Sequence, residues 1–133
     1  MASDLVLCLD SGTTSVKAAV FDREGRSLAR AEIANAALER SGVRVEQDME
    51  RTLEDAAAAV AACAGQASGR IVALAVTAQG DGLWPLDGAL AATGKAMTWL
   101  DGRAKALTAT MPEELDRVQA ITSSRPTSAS PTL

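Results

Sequence analysis

The chain has 133 residues, 47% of them apolar, which allows at most one domain with roughly two thirds of its unfolded surface buried. Its net charge of −4, without any Lys/Arg cluster, argues against a nucleic-acid partner or an anionic membrane surface, since both need a basic face. The lack of histidine excludes His-based acid–base catalysis and His-containing zinc sites.

The first predicted elements are three strands. Residues 5–9 form a continuous apolar run, which is typical of a strand buried on both faces. Residues 17–22 and 26–34 then predict two further strands, joined by a turn at Arg23-Glu24-Gly25. Together they predict an antiparallel three-strand meander.

The turn after the first strand has the composition of a phosphate-binding loop. Gly12 has no Cβ, so the backbone can approach a ligand closely, and the hydroxyls of Thr13 and Thr14 can donate to phosphate oxygens. Asp10 would repel a phosphate unless a divalent cation lay between them, so it implies magnesium. The predicted phosphate-binding residues are Asp10, Gly12, Thr13, Thr14, Ser15 and Lys17.

Two alternatives stay open for this turn. It is not a Walker A loop, because Gly-x-x-x-x-Gly-Lys followed by Ser or Thr does not occur in the sequence, and it is not a dinucleotide fingerprint, because a strand and not a helix follows Gly12. An ordinary Asp-Ser-Gly hairpin turn accounts for the short motif equally well. Lys17 could add positive charge at the phosphates or be solvated on an exposed strand.

A helix and a second buried strand are predicted next. Asp48 is a plausible N-cap and Gly65 ends the helix, with one apolar stripe facing the sheet. The predicted stripe consists of Met49, Leu53, Ala56, Val60 and Cys63. Residues 71–77 are again wholly apolar and should run parallel to the first strand. Because ligands bind at the carboxyl edge of such sheets, Asp10 and residues 78–81 should lie near one another.

The remaining residues predict a hairpin, a helix and a tail. Two short strands at 83–86 and 96–100 flank a loop, and helical sequence covers 101–121. Residues 122–133 contain two prolines and seven serines or threonines, without apolar periodicity, so they predict a disordered tail. The expected organisation is one domain over 1–121 and the tail over 122–133.

Cysteine usage and the absence of long apolar runs predict a cytoplasmic protein. Cys8 and Cys63 fall at apolar positions and are expected to be reduced, buried thiols, with a disulfide as the weaker alternative. No apolar run approaches the roughly 20 residues of a membrane span, and the N-terminus shows no signal-peptide pattern. We therefore expect no membrane partner.

Four segments in order carry a family resemblance. They are LDSGTTSVKAAVFDREG, VEQDME, VALAVTAQGDGLWPLD and MTWLDGRA, which together span about residues 5–103. Their order and spacing resemble the FGGY carbohydrate kinases, a family that includes glycerol kinase, xylulokinase and ribulokinase. The AQGDG form is most similar to the erythritol kinase branch.

The resemblance implies an α/β fold of the RNase H-like, actin/hexokinase-like ATPase type, with ATP and sugar meeting between two domains. It implies γ-phosphate transfer from ATP to a hydroxyl of a sugar or polyol. By matching position, Asp10 resembles the aspartate that organises magnesium and phosphate, and Asp101 and Arg103 are expected to form an ion pair that fixes their loop. The substrate-binding residues implied are Gln79, Gly80, Asp81 and Trp99. For Asp81 the alternative is a solvated turn residue, and for Trp99 it is core packing.

The chain also departs from the family pattern. The catalytic base, an aspartate well downstream, and the adenosine-binding second domain have no counterpart in these residues. Because phosphoryl transfer depends on positioning by both walls of the cleft, we expect the chain alone to be catalytically silent, as a partial or truncated kinase. The alternative is a non-catalytic module that binds a nucleotide or polyol. The expected partners are the missing C-terminal half or a second copy of the chain.

Overall fold

The computed structural model describes residues 3–128, which form eight strands and three helices. In chain order these are β1 (Asp4–Ser11), β2 (Ser15–Phe21), β3 (Ser27–Ala34), β4 (Leu38–Ser41), β5 (Arg44–Gln47), α1 (Met49–Ala64), β6 (Arg70–Ala78), β7 (Gly82–Leu83), β8 (Ala96–Thr98), α2 (Lys105–Thr108) and α3 (Pro112–Thr122). The chain forms two compact units. One comprises the residues up to Ala37 with Glu50–Gln79, and the other Leu38–Met49 with the residues from Gly80 on.

The first unit is a mixed four-stranded sheet covered on one face by α1. The strand order is β3-β2-β1-β6, with antiparallel pairs β1–β2 and β2–β3 and a parallel pair β1–β6. The predicted meander, helix and parallel strand are therefore confirmed. The core joins alternate residues of the sheet to small residues of α1: Leu5, Leu7, Leu9, Val16, Ala18, Val20, Ala29, Ala56, Ala59 and Cys63.

The second unit contains a sheet with the order β4-β5-β8-β7, all neighbours antiparallel. The β4–β5 hairpin was not predicted. Ser41 pairs with Arg44, so only Gly42 and Val43 form the turn, and Gly42 adopts a φ of 59°. A left-handed glycine at the start of a two-residue loop is typical of a tight hairpin, and the short Ser-Gly-Val signal is its only trace in the sequence.

The apolar stripe predicted on α1 is partly wrong. Ala56 and Cys63 are buried as expected, but Leu53 is 72% exposed and Asp55 is buried. Residues 53 and 55 point about 200° apart on a helix, so a helix that buries Asp55 must expose Leu53. Hydrogen bonds from Arg51 and from the backbone of Ala36 hold the Asp55 side chain in this position.

The predicted burial of residues 71–77 is also wrong. All nine residues of β6 are exposed, and the core cluster under α1 contains no residue of this strand. The strand itself and its parallel direction are confirmed.

Downstream, the predicted strand at 83–86 is reduced to β7 and a single bridge between Leu86 and Ala92. The helix predicted over 101–121 is two helices, since Pro112 begins α3 and three residues separate it from α2.

The end of the predicted domain lies close to the end of α3. This helix extends to Thr122, and Ser123 ends it in the left-handed conformation. Residues 129–133 of the expected tail lie outside the described residues, so the boundary at 121 stays a prediction. Cys8 is half-buried and Cys63 is buried, and both thiols are free. In the described part of the chain, no helix is long and apolar enough to cross a membrane.

Candidate functional site

The turn between β1 and β2 is closed by its own backbone. The Gly12 N–H donates to the Ser15 carbonyl at 3.1 Å. A Cβ on Gly12 would lie 2.8 Å from that same oxygen, so the close approach requires glycine at this position. The Gly12 N–H is therefore used inside the turn, in contrast to the expectation that the turn amides face a ligand.

Asn35 holds this turn from outside. Its side-chain Nδ2 donates to the Gly12 carbonyl at 3.0 Å, and its backbone N–H donates to the Thr14 carbonyl at 3.0 Å. Its Oδ1 accepts from the Ala37 N–H at 3.0 Å. The sequence analysis did not predict a role for Asn35, because the sequence shows only a polar residue just after a strand.

The buried carboxylate of Asp55 supports the segment that carries Asn35. Its Oδ1 accepts from Arg51 Nε at 3.0 Å, one helical turn earlier, and its Oδ2 accepts from the Ala36 N–H at 3.4 Å. Since α1 packs on the sheet, these bonds connect the helix to the residue next to Asn35. The β1–β2 turn is thus held by its own Gly12–Ser15 hydrogen bond and by Asn35, and α1 supports the segment of Asn35 through Asp55.

Asp10 lies at the carboxyl end of β1, where its neighbours in register are Lys17 on β2 and Thr77 on β6. Its side chain is exposed, and among residues 3–128 it makes no hydrogen bond or ion pair. Asp10, Lys17 and Thr77 line an open cavity of about 670 Å³ on the sheet face. The carboxylate is therefore accessible from solvent.

Lys17 is exposed, and its Nζ is 4.0 Å from Oε1 of Glu32 on β3. A surface pair at this distance contributes little, so it does not hold the ammonium group in place. Lys17 thus lies beside Asp10 in the sheet, and its ammonium group is held only weakly, by Glu32.

Thr13 and Gln79 are in contact at the carboxyl edge of β1 and β6, the edge at which the sequence predicted that Asp10 and residues 78–81 lie near one another. The Thr13 hydroxyl donates to Gln79 Oε1 at 3.4 Å, although the two residues are 66 positions apart. The parallel register of Asp10 with Thr77 explains the proximity, because both strands end at this edge. Thr14 is exposed beside them, and Ser15 is half-buried as the first residue of β2.

Asp81 and Trp99 meet at one end of the ladder in the second unit. Gly82 pairs with Thr98, so Asp81 and Trp99 are the next residues on the two strands. Trp99 is 47% exposed and Asp81 and Gly80 are exposed, so Trp99 is not a core residue. An aromatic ring and a carboxylate thus lie on neighbouring chain segments.

The loop after Trp99 is fixed by the predicted ion pair of Asp101 and Arg103. Arg103 Nη2 is 2.9 Å from Asp101 Oδ2 and 2.8 Å from Glu46 Oε1. Asp101 Oδ2 also accepts from the Val45 N–H at 2.9 Å, which connects the loop to β5. The hydrogen bonds from Arg103 lower the pKa of the Asp101 carboxyl from 3.8 to about 2.

No cluster of three or more acidic or cysteine side chains suited to a metal ion occurs in residues 3–128. Asp10 and Glu32 are the two carboxylates that line the cavity on the sheet. Magnesium is commonly held by one or two carboxylates together with phosphate oxygens and water, so Asp10 at a phosphate site fits it.

Comparisons with known proteins show which family the sequence is similar to. The family model described as the FGGY family of carbohydrate kinases, N-terminal domain, matches residues 5–131, which extends past the segments singled out in the sequence. A curated erythritol kinase from Brucella abortus (strain 2308) is 35% identical over 104 residues, covering 76% of this chain.

Solved structures are similar to the chain in fold. A gluconate kinase from Lactobacillus acidophilus has a TM-score of 0.82 at 17% identity over 90% of this chain. A Plasmodium falciparum glycerol kinase with ADP has a TM-score of 0.78 at 16% identity over 96% of it. This chain spans 20% of the erythritol kinase, 25% of the gluconate kinase chain and 27% of the glycerol kinase chain.

Proposed function

This chain belongs to the FGGY family of carbohydrate kinases and corresponds to their N-terminal domain, and from this we propose that it is part of an ATP-dependent sugar or polyol kinase. In this proposal the chain supplies the wall of the active site that holds the transferred phosphate and part of the wall that holds the sugar. The reaction is transfer of the γ-phosphate to a substrate hydroxyl.

The observation that carries the proposal is the position of Asp10. It is an exposed carboxylate without a partner in the described residues, at a strand end, beside a turn that its own backbone and Asn35 hold in place. Because this carboxylate has no partner among the described residues, both of its oxygens are available to a cation. When bound, magnesium would supply positive charge between this carboxylate and the phosphates.

The proposed roles in the turn follow from the hydroxyls and the backbone of its residues; for Thr13, donation to a phosphate would replace the bond that its hydroxyl makes to Gln79 Oε1. The Thr13 and Thr14 hydroxyls donate to phosphate oxygens, and Ser15 orients the turn through its carbonyl. Gly12 keeps the turn narrow enough for a ligand to approach the backbone. Lys17 provides a weakly held positive charge at the side of Asp10. These groups bind and orient a phosphate without taking up a proton.

The residues to which we assign sugar binding are Gln79 in the first unit and Gly80, Asp81 and Trp99 in the second. The carboxylate of Asp81 accepts hydrogen bonds from substrate hydroxyls, each charge-assisted bond contributing roughly 1.5 to 3 kcal/mol. The exposed ring of Trp99 packs against carbon-bound hydrogens of the substrate. Gly80 has open space where a Cβ would be, which leaves room for the substrate.

The general base of the reaction has no candidate among the proposed residues, and we propose that the 133 residues alone are catalytically silent. Mixing the purified chain with ATP, magnesium and a panel of polyols should yield no phosphorylated product. Clear turnover would contradict this part of the proposal.

A cytoplasmic location likewise stays a prediction.

The kinase assignment is tested by a chimera. Residues 5–131 replace the matching part of the Brucella abortus erythritol kinase, and ATP-dependent phosphorylation of a polyol panel is measured beside the thermal unfolding midpoint. Activity that Asp10→Asn removes without lowering the midpoint supports the proposal. A folded chimera without activity, or one unaffected by Asp10→Asn, contradicts it.

A further inference from the structure

Trp99 lies in a tight turn that begins at the end of β8. The Asp101 N–H donates to the Thr98 carbonyl at 2.9 Å, so residues 98–101 form a β-turn with Trp99 and Leu100 as its two central residues. Thr98 is still part of the sheet, where it pairs with Gly82 on β7. Trp99 is therefore the first residue beyond β8, and the direction of its side chain depends on how this turn is held.

The hydroxyl of Thr98 connects the two sides of this turn to β5. Thr98 Oγ1 donates to the Val45 carbonyl at 3.0 Å and accepts from the Leu100 N–H at 3.3 Å. A threonine hydroxyl has one hydrogen to donate, and this one is used on β5 while the oxygen receives the backbone just after Trp99. Thr98 is 1% exposed and Val45 is 4% exposed, so little water competes for these bonds.

A second side chain attaches the far end of the turn to the same residue of β5. The buried carboxylate of Asp101 accepts from the Val45 N–H through Oδ2 at 2.9 Å. Both backbone groups of Val45 are thus bonded by side chains that flank Trp99, one before it and one after it. The Gly102 N–H adds a bond to the Val43 carbonyl at 2.8 Å. The backbone is held on both sides of Trp99, which fixes the direction of its Cα–Cβ bond.

From these contacts we propose that Thr98 is a positioning residue for substrate binding, because its hydroxyl sets the direction in which the Trp99 ring meets a sugar or polyol. The proposal rests on the sugar-binding role proposed above for Trp99. An aromatic ring packs on carbon-bound hydrogens through its face, so its contribution depends on its orientation. Loss of the Thr98 hydroxyl should loosen the turn and let the ring move, which weakens binding of the sugar or polyol and not of the nucleotide.

The first test is the mobility of the Trp99 ring in the 133-residue chain, measured by time-resolved fluorescence anisotropy. The sequence has two tryptophans, so Trp84→Phe makes Trp99 the only indole. In this background Thr98→Val and Thr98→Ala, which both remove the hydroxyl, should enlarge the fast local part of the anisotropy decay. Thr98→Ser keeps the hydroxyl and should behave like the parent chain. Thr108→Val is the control, since it removes a hydroxyl that donates to the Lys105 carbonyl within α2.

The second test separates positioning from a general structural effect, in the erythritol kinase chimera described above. Thr98→Val should raise the polyol KM roughly 2- to 10-fold, no more than Trp99→Leu does, and leave the KM for ATP unchanged. Because the proposed effect passes through the ring, the same substitution should add nothing to the polyol KM in a Trp99→Leu background. A threonine with a structural role alone would act equally in both backgrounds.

Three results would overturn the proposal, with the thermal midpoint verifying that each variant is folded. They are unchanged ring mobility in both Thr98→Val and Thr98→Ala, an equal change of mobility in Thr108→Val, and equal rises of the polyol KM with and without Trp99. A chimera that is inactive with Thr98 in place contradicts the proposed function instead. The ring measurement needs no catalysis, so it then decides the role of Thr98.

Discussion

Asn35 Nδ2 donates to the carbonyl oxygen of Gly12 at 3.0 Å, so a side chain from the end of β3 holds the turn between β1 and β2. The backbone N–H of the same asparagine bonds Thr14, two residues further along that turn. Asn35 is therefore a positioning residue for the proposed phosphate-binding turn.

Replacing Asn35 by aspartate should loosen this turn. The variant keeps the Oδ1 that accepts from Ala37 but loses the Nδ2 donor, and it sets a negative charge against the Gly12 carbonyl. We expect a loss of about 1 to 2 kcal/mol in unfolding free energy and faster amide exchange of Gly12. Unchanged exchange in Asn35→Asp, measured by NMR, would show that the bond does not order the turn.

Gly12→Ala should be destabilising for a steric reason. The added Cβ would meet the Ser15 carbonyl at 2.8 Å, which forces the turn to open at a cost of about 1 to 3 kcal/mol. Gly94→Ala is the matched control, because a Cβ added at Gly94 would have no neighbouring atom within 4 Å and the φ of this residue is unstrained. Urea unfolding of the two variants should therefore separate them, and equal midpoints would contradict the steric account.

The carboxylate of Asp101 should make the free energy of unfolding depend on pH. Its pKa is about 2 in the folded chain against 3.8 as the ordinary value, so its ionised form stabilises the fold above pH 3.8. This contribution, about 2 kcal/mol by linkage, declines as the pH falls toward the folded pKa and is lost below it. Asp101→Asn should thus be destabilising at pH 6, with a difference from wild type that shrinks by about pH 2. A difference that stays constant with pH would rule out the ion pair as its source.

Asp81→Ala should affect the sugar more than the nucleotide. Loss of one charge-assisted bond predicts a rise in polyol KM of roughly 10- to 100-fold in the chimera, with the KM for ATP nearly unchanged. Trp99→Leu should follow the same pattern with a smaller rise, since packing of the substrate on its ring contributes less than a charge-assisted hydrogen bond. Equal losses toward both substrates would indicate a general structural defect.

Much of the first unit could be predicted from local pattern. Apolar runs, the turn at Asp10 to Lys17 and the helical spacing before Gly65 were enough to predict the meander, the helix and the parallel strand. The meeting of the carboxyl ends of β1 and β6 followed from the parallel direction alone, and the contact of Thr13 with Gln79 confirms this meeting, whereas ligand binding at this edge stays a prediction.

The missed features depend on contacts between distant residues. Asp55 is buried because Arg51 and the Ala36 N–H satisfy it, which no apolar periodicity reveals. The exposure of β6 depends on what covers its faces, and an apolar run looks the same in a covered or an uncovered strand. Asn35 gave little signal because the turn residues that it holds, Gly12 and Thr14, lie some 20 residues earlier in the chain.

The central claim is that the carboxylate of Asp10 helps a metal-bound phosphate to dock on the β1–β2 turn. The most direct test is an NMR titration of the chain with ADP and Mn²⁺, a paramagnetic ion that suits the same oxygen ligands as Mg²⁺. The account predicts selective broadening of the Gly12 to Ser15 amide signals that requires the nucleotide and disappears in Asp10→Asn. It should persist in the control Asp87→Asn, which changes an exposed aspartate of the second unit whose Oδ1 accepts from the Ala89 and Ala91 N–H groups. Broadening that is absent from this turn, or that survives Asp10→Asn, would contradict it.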